Sequence, residues 1–103
     1  MNLDKARKRY IPMSETMLYI LYSLKQEYHG YAIMQHVKEL TRGRIVLGAG
    51  TIYSSLGKLE SDGLIEGVRE EERRKIYAIT SLGRTILGEE TARIAEVYNN
   101  IKE

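Results

Sequence analysis

Cysteine, tryptophan and phenylalanine are absent from the 103-residue chain, and proline occurs once. Without cysteine there is no disulfide framework, no thiolate zinc site and no cysteine nucleophile. Long apolar runs are missing too. None reaches the roughly 20 residues that a membrane-spanning helix requires, and no signal-peptide pattern opens the sequence, so a cytoplasmic domain is the expectation. Neither charge sign dominates: 16 Lys and Arg stand against 14 Asp and Glu, a net +2, which alone says little about a polyanionic partner. Repeats and low-complexity segments are also lacking. What remains is a balanced chain, 43% hydrophobic and 29% charged, suited to one domain with a modest core.

Catalytic chemistry finds no constellation. His29 and His36 are seven residues apart, not the i, i+4 spacing that sets two imidazoles on one metal. His29 precedes Gly30 in a turn, where a structural hydrogen bond is the common role, and His36 reads as a solvated helix residue. Glu70, Glu71 and Glu72 are consecutive, so their carboxylates point apart in water instead of pairing. The chain is therefore not expected to be an enzyme, and no metal or cofactor is expected.

The charge that is present is unevenly spread. Residues 1–10 carry Lys5, Arg7, Lys8 and Arg9 against Asp4, a local +3, which reads as a basic arm or a solubilising tail. Pro12 and Ser14 then announce a helix, and Met17, Ile20, Leu21 and Leu24 give it an apolar stripe at i, i+3, i+4, i+7. Tyr28-His29-Gly30 ends it. A second helix follows from about Tyr31 with Ile33, Val37 and Leu40 on one face. Ile45-Val46-Leu47 reads as a short strand, and Gly48 to Gly50 as a turn, with no frame that cradles phosphate. A third helix runs from Thr51 to about Asp62, buried through Ile52, Leu56 and Leu59 and stopped by Gly63. Residues 64–69 and 75–80 read as two strands around a charged tip. Thr80 or Ser81 caps a last helix whose apolar positions are Leu82, Ile86, Leu87, Ile94, Val97, Tyr98 and Ile101.

Three short helices, a hairpin and a final helix are the element order of a winged helix-turn-helix: mainly α, with a small β-hairpin. The third helix would be the reader. Thr51, Ser54 and Ser55 offer hydroxyls, Tyr53 a ring and a hydroxyl, and Lys58 a cation, none of which repels phosphate. A polar face is equally what any surface helix shows. Arg73, Arg74 and Lys75, with Arg69, stand where a wing lies along the backbone or minor groove, although Glu70, Glu71 and Glu72 sit among them and a solvated tip with internal ion pairs is the competing reading. On the last helix, Leu82 and Ile86 finish the core. Leu87, Ile94, Val97, Tyr98 and Ile101 carry the stripe beyond it and call for a partner helix. Tyr19, Tyr22 and Tyr98, on the helices expected at that seam, are candidates for a pocket that takes a small aromatic effector.

Several segments together carry a resemblance: Leu18 to Leu24, His29-Gly30-Tyr31-Ala32-Ile33, Gly50-Thr51-Ile52-Tyr53, Leu56-Gly57-Lys58-Leu59-Glu60, Asp62-Gly63-Leu64-Ile65, and Tyr77-Ala78-Ile79-Thr80 with Gly83. Across about residues 10–88 the chain resembles the PadR family of transcriptional regulators, of the short type with one C-terminal dimerisation helix. The resemblance implies that Gly50-Thr51-Ile52-Tyr53 opens the recognition helix, that Tyr53 contacts the DNA backbone, and that Arg73, Arg74 and Lys75 form the basic wing. Two features depart from the family pattern. Glu71-Glu72 stands where the wing turn often has glycine, and the short last helix lacks the tryptophan of members that form an aromatic drug-binding pore, with Tyr98 a partial substitute.

The expected organisation is a basic arm (1–10), a winged helix-turn-helix (11–80) and a dimerisation helix (81–103). The expected function is sequence-specific binding of double-stranded DNA by a homodimeric repressor on a palindromic operator, with relief by a small aromatic effector. The alternative is a winged-helix protein-interaction module.

Overall fold

A computed structural model describes residues 1–103. Its elements are α1 (Leu3–Tyr10), α2 (Glu15–Ser23), α3 (Gly30–Leu40), α4 (Ala49–Ser61), β1 (Ile65–Glu71), β2 (Arg74–Ile79) and α5 (Ser81–Ile101). The order is the winged helix-turn-helix expected from the sequence, with one added helix at the front.

Every helix start but that of α4 follows side-chain capping. Ser14 accepts from the Met17 N–H at the head of α2, His29 from Ala32 at α3, and Thr80 from Gly83 at α5. Each satisfies one of the orphan amide donors that every helix N-terminus leaves. The apolar stripes then meet. Ile20, Leu21 and Leu24 of α2 and its C-cap, Ile33 and Val37 of α3, Ile52, Leu56 and Leu59 of α4, and Ile86 of α5 are all fully buried in one cluster. Burying each such side chain is worth about 1.5–3 kcal/mol before entropy is set against it.

The first ten residues are not a free arm. They form α1, whose Ala6 and Tyr10 are buried, and two of its four cations, Arg7 and Arg9, are turned to internal use. Arg7 grips Glu89 of α5 through Nε and Nη2 at 2.8 and 2.9 Å, and Arg9 donates to Asp62 at 2.8 Å. The Tyr10 hydroxyl donates to the other Asp62 oxygen at 2.6 Å. Burial works to raise the Asp62 carboxyl's pKa. Hydrogen bonds from Tyr10 and Arg9, with the charges of Arg9 and Lys58, outweigh it and hold the group below the ordinary range. Glu90 of α5, fully buried, is held low first by Arg93, against burial, and also by the Met13 N–H.

Ile45-Val46-Leu47 is not a strand. The segment joins α3 to α4 without regular structure, and it holds its place by burying Leu47 while Val46 stays exposed. A lone three-residue run has no neighbour to ladder with once β1 and β2 pair with each other. Leu40, expected on the buried face of α3, is exposed, and Leu87, expected beyond the core, lies within it. Gly63 stops α4 as expected, at φ +80°, a backbone state glycine enters without steric cost.

The wing is a two-stranded antiparallel hairpin, registered from Ile65 opposite Ile79 to Glu71 opposite Arg74, with a bulge between Gly67 and Arg69. Its two-residue turn is Glu72-Arg73, at φ +49° and +64°. Positive φ at both positions is what the tight hairpin turn demands, and non-glycine residues meet it at a cost of about 1–2 kcal/mol each. The hairpin is tied to the helices through the residue before His29: the Tyr28 N–H donates to the Tyr77 carbonyl at 3.2 Å and Tyr77 returns the bond at 2.9 Å.

Candidate nucleic-acid interface

Helix α4 is packed on one side through Ile52, Leu56 and Leu59. Three- and four-residue spacing puts Ser55 on that same side, and it is half-buried. Ser55 thus lies at the margin of the outward face, between the buried stripe and the edge that carries Thr51 and Lys58. The face opposite the core is Gly50, Ser54, Gly57 and Ser61, at i, i+4, i+7 and i+11, all exposed. This stripe of small residues was legible as the complement of the buried one, but attention to side chains with functional groups passes over glycine. Its consequence is geometric: nothing on the helix holds a docked groove away from the backbone.

Larger groups flank the stripe. Thr51 and Lys58 lie along one edge, and the Lys58 ammonium sits 5.4 Å over the Tyr10 ring, drawn toward α1. Tyr53, exposed, lies along the other edge. Its ring leans on the N-terminus of α3, where a Cβ on Gly30 would stand 2.9 Å from the ring carbon Cε1. Real Cβ contacts essentially never come so close. Glycine at position 30 is therefore what lets Tyr53 occupy this place.

On the same side as Tyr53 stands the wing, and two of its four cations are paired with carboxylates. The Lys75 ammonium pairs with Glu60 of α4 at 2.8 Å, a bond that raises the Lys75 pKa and clips the wing to the reading helix. Arg69 pairs with Glu27 and with Glu71. Arg74 rests 5.7 Å over the Tyr31 ring and Arg73, at the turn, has no partner. Of the three wing residues expected to grip phosphate, Arg73 and Arg74 are free of carboxylates and Lys75 is not. Such exposed pairs are worth about 0–1 kcal/mol, so phosphate competes for Lys75 on nearly even terms.

The structure does not gather Tyr19, Tyr22 and Tyr98 into one pocket within the chain. Tyr19 is half-buried near the Glu15–Arg44 pair. Tyr22 stacks on His36 at 5.9 Å and borders a cleft of about 390 Å³ with Lys25, Arg84, Leu87, Gly88 and Thr91. Tyr98 is exposed near the far end of α5.

No helix is long and apolar enough to cross a membrane. The model of the transcriptional regulator PadR-like family matches residues 17–89, which takes in α2 to α4, the wing and the first half of α5. The chain is 31% identical over 97 residues to the transcriptional regulator YqjI of Escherichia coli, covering 93% of this chain and 47% of that protein. It is 32% identical over 88 residues to the transcriptional regulator Rv3488 of Mycobacterium tuberculosis, covering 82% of this chain and 79% of that one. It spans less than half the length of the first curated relatives it matches. Among solved structures, a PadR-like transcription factor from Bacteroides fragilis superposes with a TM-score of 0.72 at 26% identity, covering 97% of this chain and 96% of that one. These are regulators of transcription and not enzymes. By fold, by matched length and by the residues that build the helix-turn-helix and its wing, the chain belongs to the transcriptional regulator PadR-like family.

Proposed function

We propose that the chain binds double-stranded DNA as a homodimer and represses transcription in the cytoplasm by occupying a palindromic operator. The observation that carries this reading is the outward stripe of α4, small, uncharged and free of internal partners, with the wing standing beside it. Thr51, Tyr53, Ser54 and Lys58 are the side chains available to base edges and adjacent phosphates. Arg73, Arg74 and, in exchange for Glu60, Lys75 supply backbone attraction.

The second half of α5 supports the dimer. From Thr91 onward every residue of the helix except Arg93 is exposed, and Ile94, Val97, Tyr98 and Ile101 repeat at i, i+3, i+4, i+7. A second copy of the stripe covers these side chains, and two-fold symmetry sets two reading helices about one DNA turn apart, roughly 34 Å. An aromatic effector would relieve repression by favouring the geometry that does not fit the operator. The Tyr22 cleft is its place within one protomer, and Tyr19 and Tyr98 join it only by way of the dimer seam.

The second reading, a protein-interaction module, is favoured by one observation: Glu27, Glu60 and Glu71 neutralise Arg69 and Lys75, leaving Glu70 and Glu72 exposed on an acidic wing. Fluorescence anisotropy on the duplex upstream of the protein's own gene, against a scrambled duplex, separates the two. Discriminating binding that persists at physiological salt is expected. Weak binding to both that vanishes with salt, together with partner binding retained in the Lys58→Ala, Arg74→Ala double variant, would favour the interaction module.

A further inference from the structure

Between the reading helix and the wing, two hydrogen-bond donors converge with nothing to accept from them. His29 caps α3 with its own imidazole, Nδ1 accepting from the Ala32 N–H at 3.1 Å. A ring nitrogen that accepts carries no proton, so the neutral imidazole has its proton on Nε2. That Nε2 lies 3.3 Å from Nη1 of Arg74, and a guanidinium nitrogen only donates. The contact is donor against donor, and neither group satisfies the other.

The two groups are firmly placed. The Tyr28–Tyr77 backbone bridge fixes the residue before His29 to the strand that bears Arg74. On the other side Gly30, the residue after His29, lies under the ring of Tyr53 from α4. Arg74 has no carboxylate partner, and the Tyr31 ring supports it from below. The gap belongs to an open cavity of about 450 Å³ that Glu71 and Glu72 also border. Glu71 is already held by Arg69 at 2.7 Å, which leaves Glu72, at the turn, as the carboxylate of this cavity that competes for the site, with Glu39 bordering His29 and Arg74 from the neighbouring cleft.

We propose that His29 Nε2–H and Arg74 together hold one phosphate of the DNA backbone. The inference rests on the DNA-binding reading above and adds to it a residue, His29, that the sequence marks only as structural. An anion is the occupant that accepts from both donors at once. A duplex touched by α4 on one side and by the wing on the other runs its backbone between them, across this gap, so the anion is a DNA phosphate and not one free in solution.

The test uses anisotropy on the upstream duplex, unmodified and with a single neutral methylphosphonate linkage placed at successive positions. The wild-type protein is expected to lose about tenfold or more in affinity at one linkage per bound protomer. His29→Asn keeps an oxygen that caps α3 but has no donor long enough to reach the gap. It is expected to lose about as much on unmodified DNA, to ignore that linkage, and to keep the wild-type salt slope, since the lost donor is neutral. Arg74→Ala is expected to lose affinity and also to lower the salt slope by about one. An unchanged thermal midpoint in His29→Asn separates a contact from a folding defect. Wild-type affinity in His29→Asn, or continued sensitivity to the same linkage, overturns the inference and leaves DNA binding standing. A lowered midpoint with wild-type affinity gives the gap to Glu72 and also overturns it. A wild-type affinity that rises with inorganic phosphate at fixed ionic strength, with no such rise in His29→Asn, assigns the site to a free anion instead. If the wild-type protein binds no duplex, this inference and the reading beneath it fail together.

Discussion

Helix α4 and the wing stand side by side and are prepared for a partner in opposite ways. The outward face of α4 is bare, with Gly50, Ser54, Gly57 and Ser61 making no side-chain bond to the rest of the chain. The wing is crowded with charge, and two of its four cations are already answered by carboxylates: Lys75 by Glu60, Arg69 by Glu27 and Glu71. A bare face meets a groove without first giving up internal bonds, so what it touches depends on which bases are there. The wing offers attraction through the unpaired Arg73 and Arg74 and, at Lys75, by exchange of one anion for another, neither of which carries base information. The comparison teaches a division of labour in which α4 discriminates and the wing sets strength and salt dependence.

The largest way to break the comparison is to charge the bare face. Ser54→Glu is expected to weaken binding of the upstream duplex by a hundredfold or more, since a like charge against the backbone costs several kcal/mol. Its thermal midpoint should stay near wild type because the position is exposed. A midpoint that falls with the affinity would show that Ser54 serves the fold.

Acid acts on two of the supports. Asp62 and Glu90, both held below their ordinary pKa, fix the C-terminus of α4 and the first half of α5 to the N-terminal segment. A depressed folded-state pKa means that their stabilisation is fully present above the unfolded values near 4 and is lost as pH falls through the lower folded values. Thermal melts are expected to hold from pH 7 to 5 and to drop steeply below about pH 4, and Asp62→Asn should flatten part of that drop. A steep loss between pH 7 and 5 would contradict the assignment.

Gly30→Ala sharpens the comparison from the side of α4. The added methyl takes the place of the Tyr53 ring, whose exposed end is free to swing away, so stability is expected to change by less than about 1 kcal/mol while DNA affinity falls about tenfold. Circular dichroism melts beside anisotropy check both halves of that statement.

Two smaller changes address the wing. Replacing the turn pair by Glu72→Asn with Arg73→Gly supplies the residues that positive φ favours. It is expected to stabilise the fold by about 1 kcal/mol, a rise of about 4–8 °C in Tm, with discrimination between duplexes unchanged. Glu60→Gln frees Lys75. Upstream and scrambled duplexes should both bind a few-fold tighter at low salt, with the salt slope steeper by about one. A gain confined to the upstream duplex would give Lys75 a base-reading role.

How much of this was legible in the sequence divides along physical lines. The stripes of α2 and α4, the stop at Gly63 and the charged hairpin were all readable, because each is a local pattern with a local cause. Helix α1 was not, since its reason is long-range: the basic run Lys5 to Arg9 looks like a solvated arm until Glu89 and Asp62, more than 50 residues away, are seen to meet it. Helical spacing sets Ser55 nearer the buried stripe than its residue type suggests, and the Gly50–Ser61 stripe carries no functional group that would mark it in the sequence. The roles of the wing cations were hidden because partners such as Glu27 and Glu60 come from other elements. His29 was read as structural, which its capping bond bears out, but the direction of its second nitrogen is a property of the folded chain alone.

The most direct measurement is the ratio of affinities for the upstream and scrambled duplexes, followed across salt concentration for wild type, Ser54→Ala and Arg73→Ala. The account predicts that Ser54→Ala lowers the ratio at every salt concentration with the slope intact, and that Arg73→Ala weakens both duplexes alike, keeping the ratio and lowering the slope by about one. A ratio that collapses in Arg73→Ala and survives in Ser54→Ala would place sequence reading in the wing and contradict the account.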